Sequence, residues 1–178
     1  MKDLLISDHL ELDSILELLF TALDKGDAAE VYKELNFFWA RLAMHIRAEN
    51  LHLFPAILKA AQIREQDEAG NSEPARQFVC DSIDKLKNDH NFFMRELGDA
   101  IKKMVVLRED NWTGKDIILS ALREKLTALC ERLKKHNELE EAEVYRWPEI
   151  FMPADVPILQ AKIQKELENL PPRFITAG

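Results

Sequence analysis

Four long stretches of this chain repeat an apolar residue at every third or fourth position, and no other feature limits the fold so tightly. The first stripe reads Leu5, His9, Leu12, Leu16, Leu19, Leu23, and the second reads Val31, Leu35, Phe38, Leu42, His45, Glu49, His52, Ala56. The third is Val79, Ile83, Leu86, His90, Phe93, Leu97, Ala100, Met104, and the fourth is Leu119, Leu122, Leu126, Leu129, Leu133, His136, Glu140. This is helical spacing, with one buried stripe per helix, and no segment alternates convincingly at the period of a strand. The pattern predicts an all-α, up-down-up-down antiparallel four-helix bundle. All five histidines lie on the stripes, together with Glu49 and Glu140.

Punctuation sets the expected boundaries. A first helix runs from about Asp8 to Lys25 and stops at Gly26; Asp27 with Glu30 resembles a capping box opening a second. That helix continues to Gln62 or Glu65, with Pro55 as a candidate kink. Gln66–Asn71 reads as a loop, and Ser72-Glu73-Pro74 as the start of a third helix ending near Leu107. Arg108–Gly114 connects onward, Thr113 and Asp116 suit a cap, and the fourth helix is expected to end around Arg146. The bundle then spans 1–147, and 148–178 is a proline-rich tail with a short helix around Leu159–Leu167.

A chain of 178 residues suits one domain. A formal net charge of −8 argues against a nucleic-acid surface, and no basic cluster offers a membrane a landing site. Met1-Lys2-Asp3 leads straight into a polar-interrupted helical pattern, so no signal peptide or membrane span is expected and the reading is cytoplasmic. Cys80 and Cys130 lack a CxxC spacing and read as reduced thiols.

The polar residues on the stripes carry the chemistry. An unpartnered imidazole or carboxylate in an apolar interior costs several kcal/mol. In an antiparallel pair, residues equidistant from the connecting loop share a height. His9 and His45 are centred on Asp27, His45 and His90 between Asp67 and Glu68, and His90 and His136 on Thr113. Three turns therefore place one histidine from each helix in one layer. Glu49 follows His45 by four residues and Glu140 follows His136 by four, so each carboxylate shares a helix face with its histidine. Helices two and four lie diagonally across such a bundle, so the carboxylates enter from opposite corners, where each can bridge two cations. Imidazole and carboxylate donors without thiolate suit iron, manganese or zinc.

These residues resemble the hemerythrin-like family, also called the HHE cation-binding domain. The resemblance covers about 5–147 and rests on Asp8-His9, Asp89-His90 and the His45–Pro55 stretch, which matches an HxxxExxxLFP signature. His136–Tyr145 is a looser second copy without the Phe-Pro ending. What the resemblance implies is a non-haem di-iron centre, oxo- or hydroxo-bridged, that meets oxygen, peroxide or nitric oxide. Oxygen-carrying hemerythrins have an HxxxH pair on the third helix, where this chain has His90 and Met94. The four-His, two-Glu set is closer to the branch that includes bacterial iron–sulfur-cluster repair proteins.

Under this reading His9 and His45 terminate one iron, His90 and His136 the other, and Glu49 and Glu140 bridge. His52, three residues past Glu49, matches the height of Glu143 and is read as a hydrogen-bonded gate with it; a fifth iron ligand and a semi-exposed histidine are the alternatives. Asp13 reads as solvated or as an acceptor behind a ligand. Phe38, Trp39, Phe92 and Phe93 read as core packing or as a dry wall around the layer. The tail is expected to fold over the site entrance. The functional readings are sensing, scavenging or repair involving oxygen species or nitric oxide, a peroxidase-like di-iron oxidoreductase, or a zinc or mixed-metal scaffold.

Overall fold

Helix α1 spans Lys2–Asp24 and ends in a left-handed Gly26 (φ 63°), whose turn is closed by Asp27 N–H on the Ala22 carbonyl and Gly26 N–H on the Leu23 carbonyl. This is the Schellman arrangement, and glycine adopts its positive φ without a Cβ penalty. The computed structural model describes residues 1–67, 74–109 and 114–174. The Asp27 side chain accepts from the backbone of Ala29 and Glu30 and opens α2, Ala28–Ala48. Glu30 turns to Lys33 instead of back to the cap, so only half of the expected box forms. α1 begins earlier than Asp8 because Leu5 already belongs to the buried stripe.

The second helix is not uniformly α-helical. After α2 the chain makes a π turn over Glu49–Leu53, closed by the Phe54 N–H on the Glu49 carbonyl, and resumes as α3, Phe54–Asp67. Pro55 supplies a reason: it has no N–H to donate, and its ring would strike the Leu51 carbonyl in a regular α-helix. The wider turn is the departure from regular α-helix found beside Pro55, the candidate kink. α4 runs Arg76–Glu109 and α5 Lys115–Ala142, the latter ending four residues before the expected Arg146. Gly114, without a side-chain bond, occupies the cap of α5. The expected cap residues Ser72, Glu73 and Thr113 lie outside the described residues, as do 68–71 of the expected loop.

α1 packs against α2 and α5, and α4 packs against α2, α3 and α5, which closes the antiparallel ring of an all-α bundle. There is no strand among the described residues. Beyond α5 come a 3₁₀ turn at Val144–Arg146, a short α6 at Trp147–Phe151, and α7 at Val156–Leu167, which lies against α2 and the π turn. No helix among the described residues is long and apolar enough to cross a membrane.

The apolar interior is in two parts. One, built on Leu12, Leu19, Phe38, Phe93, Leu126 and their neighbours, fills the end near the α1–α2 turn. The other joins Leu5, Leu53, Phe54, Ile57 and Val79 to Trp147 and to the tail residues Leu159 and Ile163. The tail, expected to fold over the site entrance, thus completes the second part of the core. Between the two lies a buried polar layer.

Candidate metal centre

That layer is made by His9 of α1, His45 of α2, Glu49 at the start of the π turn, His90 of α4, and His136 and Glu140 of α5. All six are buried, and both glutamates are fully so. The expected height matching therefore holds for one histidine from each helix. Nε2 of His9 stands 3.3 Å from Nε2 of His45, and Nε2 of His90 stands 3.2 Å from Nε2 of His136. The two ring pairs have the same centroid separation, 4.8 Å.

Each histidine is held from behind through Nδ1. Asp8 accepts from His45 at 2.8 Å, Glu141 from His9 at 2.7 Å, Asn50 from His90 at 3.3 Å and Asp89 from His136 at 3.4 Å. An Nδ1–H given to these oxygens leaves every Nε2 lone pair directed inward, the tautomer that metal-ligating histidines use. The aspartates are anchored in turn. Asp8 pairs with Arg41, which also bonds Glu11 at 2.8 Å and the Leu167 carbonyl of α7 at 2.9 Å. Asp89 takes Nε of Arg132 at 2.8 Å. Burial pushes the Asp8 carboxyl up, but His45 and Arg41 outweigh it and leave it below the usual carboxylate range.

The two carboxylates in the layer are under-satisfied. Oε2 of Glu49 lies 3.4 Å from His45 and 3.2 Å from His90, and Oε1 of Glu140 lies 3.0 Å from His136. Close as these approaches are, both oxygens lack a hydrogen-bond partner. Buried polar atoms are rarely left so. Opposed imidazole lone pairs at 3.2–3.3 Å are equally unfavourable without a positive charge between them. Two donors bound to one ion at about 2.0–2.1 Å would sit about 3 Å apart. His9, His45 and Glu140 form one set of donor atoms within 4.8 Å of one another; Glu49, His90, His136 and Glu140 form another. The layer can hold a metal, and Glu140 belongs to both sets.

Comparing the halves shows more than the sequence reading found. Asp8-His9 and Arg41-x₃-His45-x₃-Glu49-Asn50-x₃-Phe54 correspond to Asp89-His90 and Arg132-x₃-His136-x₃-Glu140-Glu141-x₃-Tyr145. Arg41, Arg132, Asn50, Glu141 and Tyr145 escaped the sequence reading as supports of the site. Their signal was present: a residue four before each histidine, one after each glutamate and five after each glutamate.

His52 and Glu143 are also equivalent, three residues past each glutamate, and the gate expected between them is not formed. The π turn carries the buried stripe from Glu49 to Leu53 and Phe54, which turns His52 outward, where it lies 3.8 Å from Glu166. In α5 the helix breaks at Glu143 (φ −120°, ψ −66°), leaving that residue exposed and bringing Val144 and Tyr145 inward. A stripe continued at α-helical spacing cannot register either change.

Tyr145 is fully buried, with its hydroxyl 2.7 Å from Oε1 of Glu49, 3.1 Å from Oε2 of Glu140 and 3.1 Å from Nε2 of His9. Burial and the two carboxylates hold the phenol well above its usual value. The aromatic surroundings only partly match the expected wall. Phe93 meets His136 edge-on and Phe54 stacks on His90, whereas Phe92 lies under Arg132, Phe38 belongs to the apolar core and Trp39 is half-buried. Asp13 is exposed and lines an opening of about 420 Å³ between α1 and α5 that reaches His9 and Cys130. Cys80 and Cys130 are free.

No protein-family model matches this chain, and comparison with curated proteins and with solved structures gave no significant match. The metal-binding case therefore rests on the layer itself.

Proposed function

We propose that the layer is a non-haem di-iron centre of the hemerythrin-like kind, used to meet oxygen, peroxide or nitric oxide. The observation that carries this reading is the convergence of four inward Nε2 atoms and two fully buried carboxylates, each carboxylate with an unpartnered oxygen. His9 and His45 would hold one ion, His90 and His136 the other, and Glu49 and Glu140 would serve both. A histidine-rich pair of irons supplies binding of small oxidants and modest redox change.

The surrounding residues fit that role. Asp8, Asp89, Asn50 and Glu141 fix the imidazole tautomers and raise their basicity as donors. Arg41 and Arg132 hold the two aspartates in place. Phe54 and Phe93 exclude water from the His90–His136 side. A small molecule has a route to the layer along the opening between α1 and α5.

The test is anaerobic loading with ferrous ion, followed by metal analysis and optical spectra before and after air, azide and nitric oxide. Two irons per chain with ligand-sensitive near-ultraviolet absorption is the expected result. A chain that takes up zinc alone and remains colourless would replace this reading with a structural site.

A further inference from the structure

We infer that the hydroxyl oxygen of Tyr145 is a further metal ligand, on the His9–His45 side alone, and that it makes the two halves of the centre chemically unequal. This rests on the metal-binding reading above and goes beyond the six donors named there.

The first argument is the crowding at the hydroxyl. Its three neighbours are His9 Nε2 at 3.1 Å, Glu49 Oε1 at 2.7 Å and Glu140 Oε2 at 3.1 Å. Nδ1 of His9 already faces Glu141, so Nε2 presents a lone pair. A phenol carries one hydrogen, yet here three electron-rich atoms surround it. Donors on one ion with bonds of about 2.0–2.2 Å at right angles lie about 3 Å apart. The spacing around this oxygen is that of neighbouring ligands more than that of one donor with three acceptors.

The second argument is the internal repeat. The position equivalent to Tyr145 is Phe54, and each ring lies 5.7 Å from the first histidine of its half, Phe54 stacked on His90 at 8° and Tyr145 tilted by 37° to His9. Packing at this place needs only the ring, as Phe54 demonstrates. The hydroxyl is the one addition, and a buried hydroxyl costs free energy unless something receives it. Here it points at both carboxylates that the layer's ions would share. Phe54 reaches its place through the π turn, and Tyr145 through the break after α5.

The ion beside His9 and His45 therefore gains an anionic oxygen donor, and the ion beside His90 and His136 faces a bare ring. Coordination breaks the phenolic O–H bond and its proton leaves to solvent, as metal binding to protonated ligands requires. The added negative charge favours the ferric state at the His9–His45 position, so the two irons differ in redox behaviour.

The experiment compares the full chain with Tyr145→Phe, which installs the residue of the other half. Both are loaded with ferrous ion, oxidised in air, and examined by metal analysis, visible absorption and resonance Raman, with ring-deuterated tyrosine in the parent chain. The expected parent spectrum has a phenolate-to-ferric charge-transfer band whose enhanced ring modes shift on deuteration. That band is absent from Tyr145→Phe and kept in Tyr32→Phe, and one of the two irons in Tyr145→Phe passes to a chelator about 10–100-fold more readily. Two irons per chain with no such band in the parent overturns the inference and leaves the di-iron reading standing. No bound metal in either chain removes both. The isotope shift in the parent decides the matter even if Tyr145→Phe folds poorly.

Discussion

Oδ2 of Asp8 accepts a hydrogen bond from Nδ1 of His45 at 2.8 Å, and Arg41 holds the other oxygen of the same carboxylate. The equivalent contact in the second half, Asp89 to His136, is longer, at 3.4 Å. The carboxylate that fixes an imidazole tautomer also strengthens its metal bond. Asp8→Asn should therefore weaken binding of one ion about 10–100-fold, and Asp89→Asn should weaken it less. Chelator competition on each variant measures the difference; equal losses would show that these hydrogen-bond lengths do not govern affinity.

The two arginines behind those aspartates differ in burial, and so should their removal. The Arg41 side chain is 9% exposed and tied to Asp8, Glu11 and α7, whereas the Arg132 side chain is 44% exposed and rests on Phe92. Removing one partner of a buried pair leaves an uncompensated charge at a cost of about 3–5 kcal/mol. Arg132 is open to solvent although Asp89 is buried, so water can partly replace its guanidinium and its loss should cost less. Urea unfolding of the metal-free chain should find Arg41→Ala far more destabilising than Arg132→Ala, with the docking of α7 lost in the former.

The metal-free and metal-loaded chains should respond to pH in opposite ways. Burial disfavours charge on His45, but Glu49 and Asp8 outweigh it and hold the imidazole well above 6.5; burial also opposes charge on His136, and Glu140 and Glu49 outweigh it and raise that imidazole. Stability from these histidines is whole below 6.5 and is lost as pH rises through their raised values. The Glu49 carboxyl is raised by burial but lowered further by His45 and His90, to well below 4.5. Its contribution is present above 4.5 and lost as pH falls through the depressed value. The metal-free layer is thus most favourable in mildly acid solution. Metal requires neutral imidazoles and releases their protons, so affinity rises with pH. Melting temperatures with and without metal should separate progressively from about pH 5.5 to about pH 8.5; parallel curves would contradict the linkage.

Much of this centre is written in the chain at helical spacing. Stripes in α1, α4 and α5 are buried as the periodicity predicts, and His9, His45, His90 and His136 meet in one layer as their loop-centred heights predict. What periodicity could not carry is a change of period. The π turn at Glu49–Leu53 advances the buried stripe by one residue, exchanging His52 and Ala56 for Leu53, Phe54 and Ile57. The break at Glu143 does the same for Tyr145. Arg41 and Arg132 were hidden differently, since a charged residue beside a stripe reads as solvated until its buried partner is known. The tail was underestimated because Leu159, Ile163 and Leu167 form too short a pattern to reveal that they complete a core.

Because the π turn delivers Phe54 to the layer, this ring should matter beyond its volume. It is fully buried, packs among Leu53, Ile57 and Val79, and stacks on His90 at 5.7 Å with an 8° interplanar angle. Phe54→Ala should cost about 3–5 kcal/mol through lost burial and the cavity left behind. Phe54→Leu restores most of the volume without the flat face that His90 rests on. It should recover most of the stability while leaving His90 freer to turn, so that metal is lost to a chelator more readily than from the parent chain. Thermal unfolding of the metal-free proteins reads the first effect and chelator competition the second. A Phe54→Leu chain matching the parent in both would reduce the stacking to simple packing.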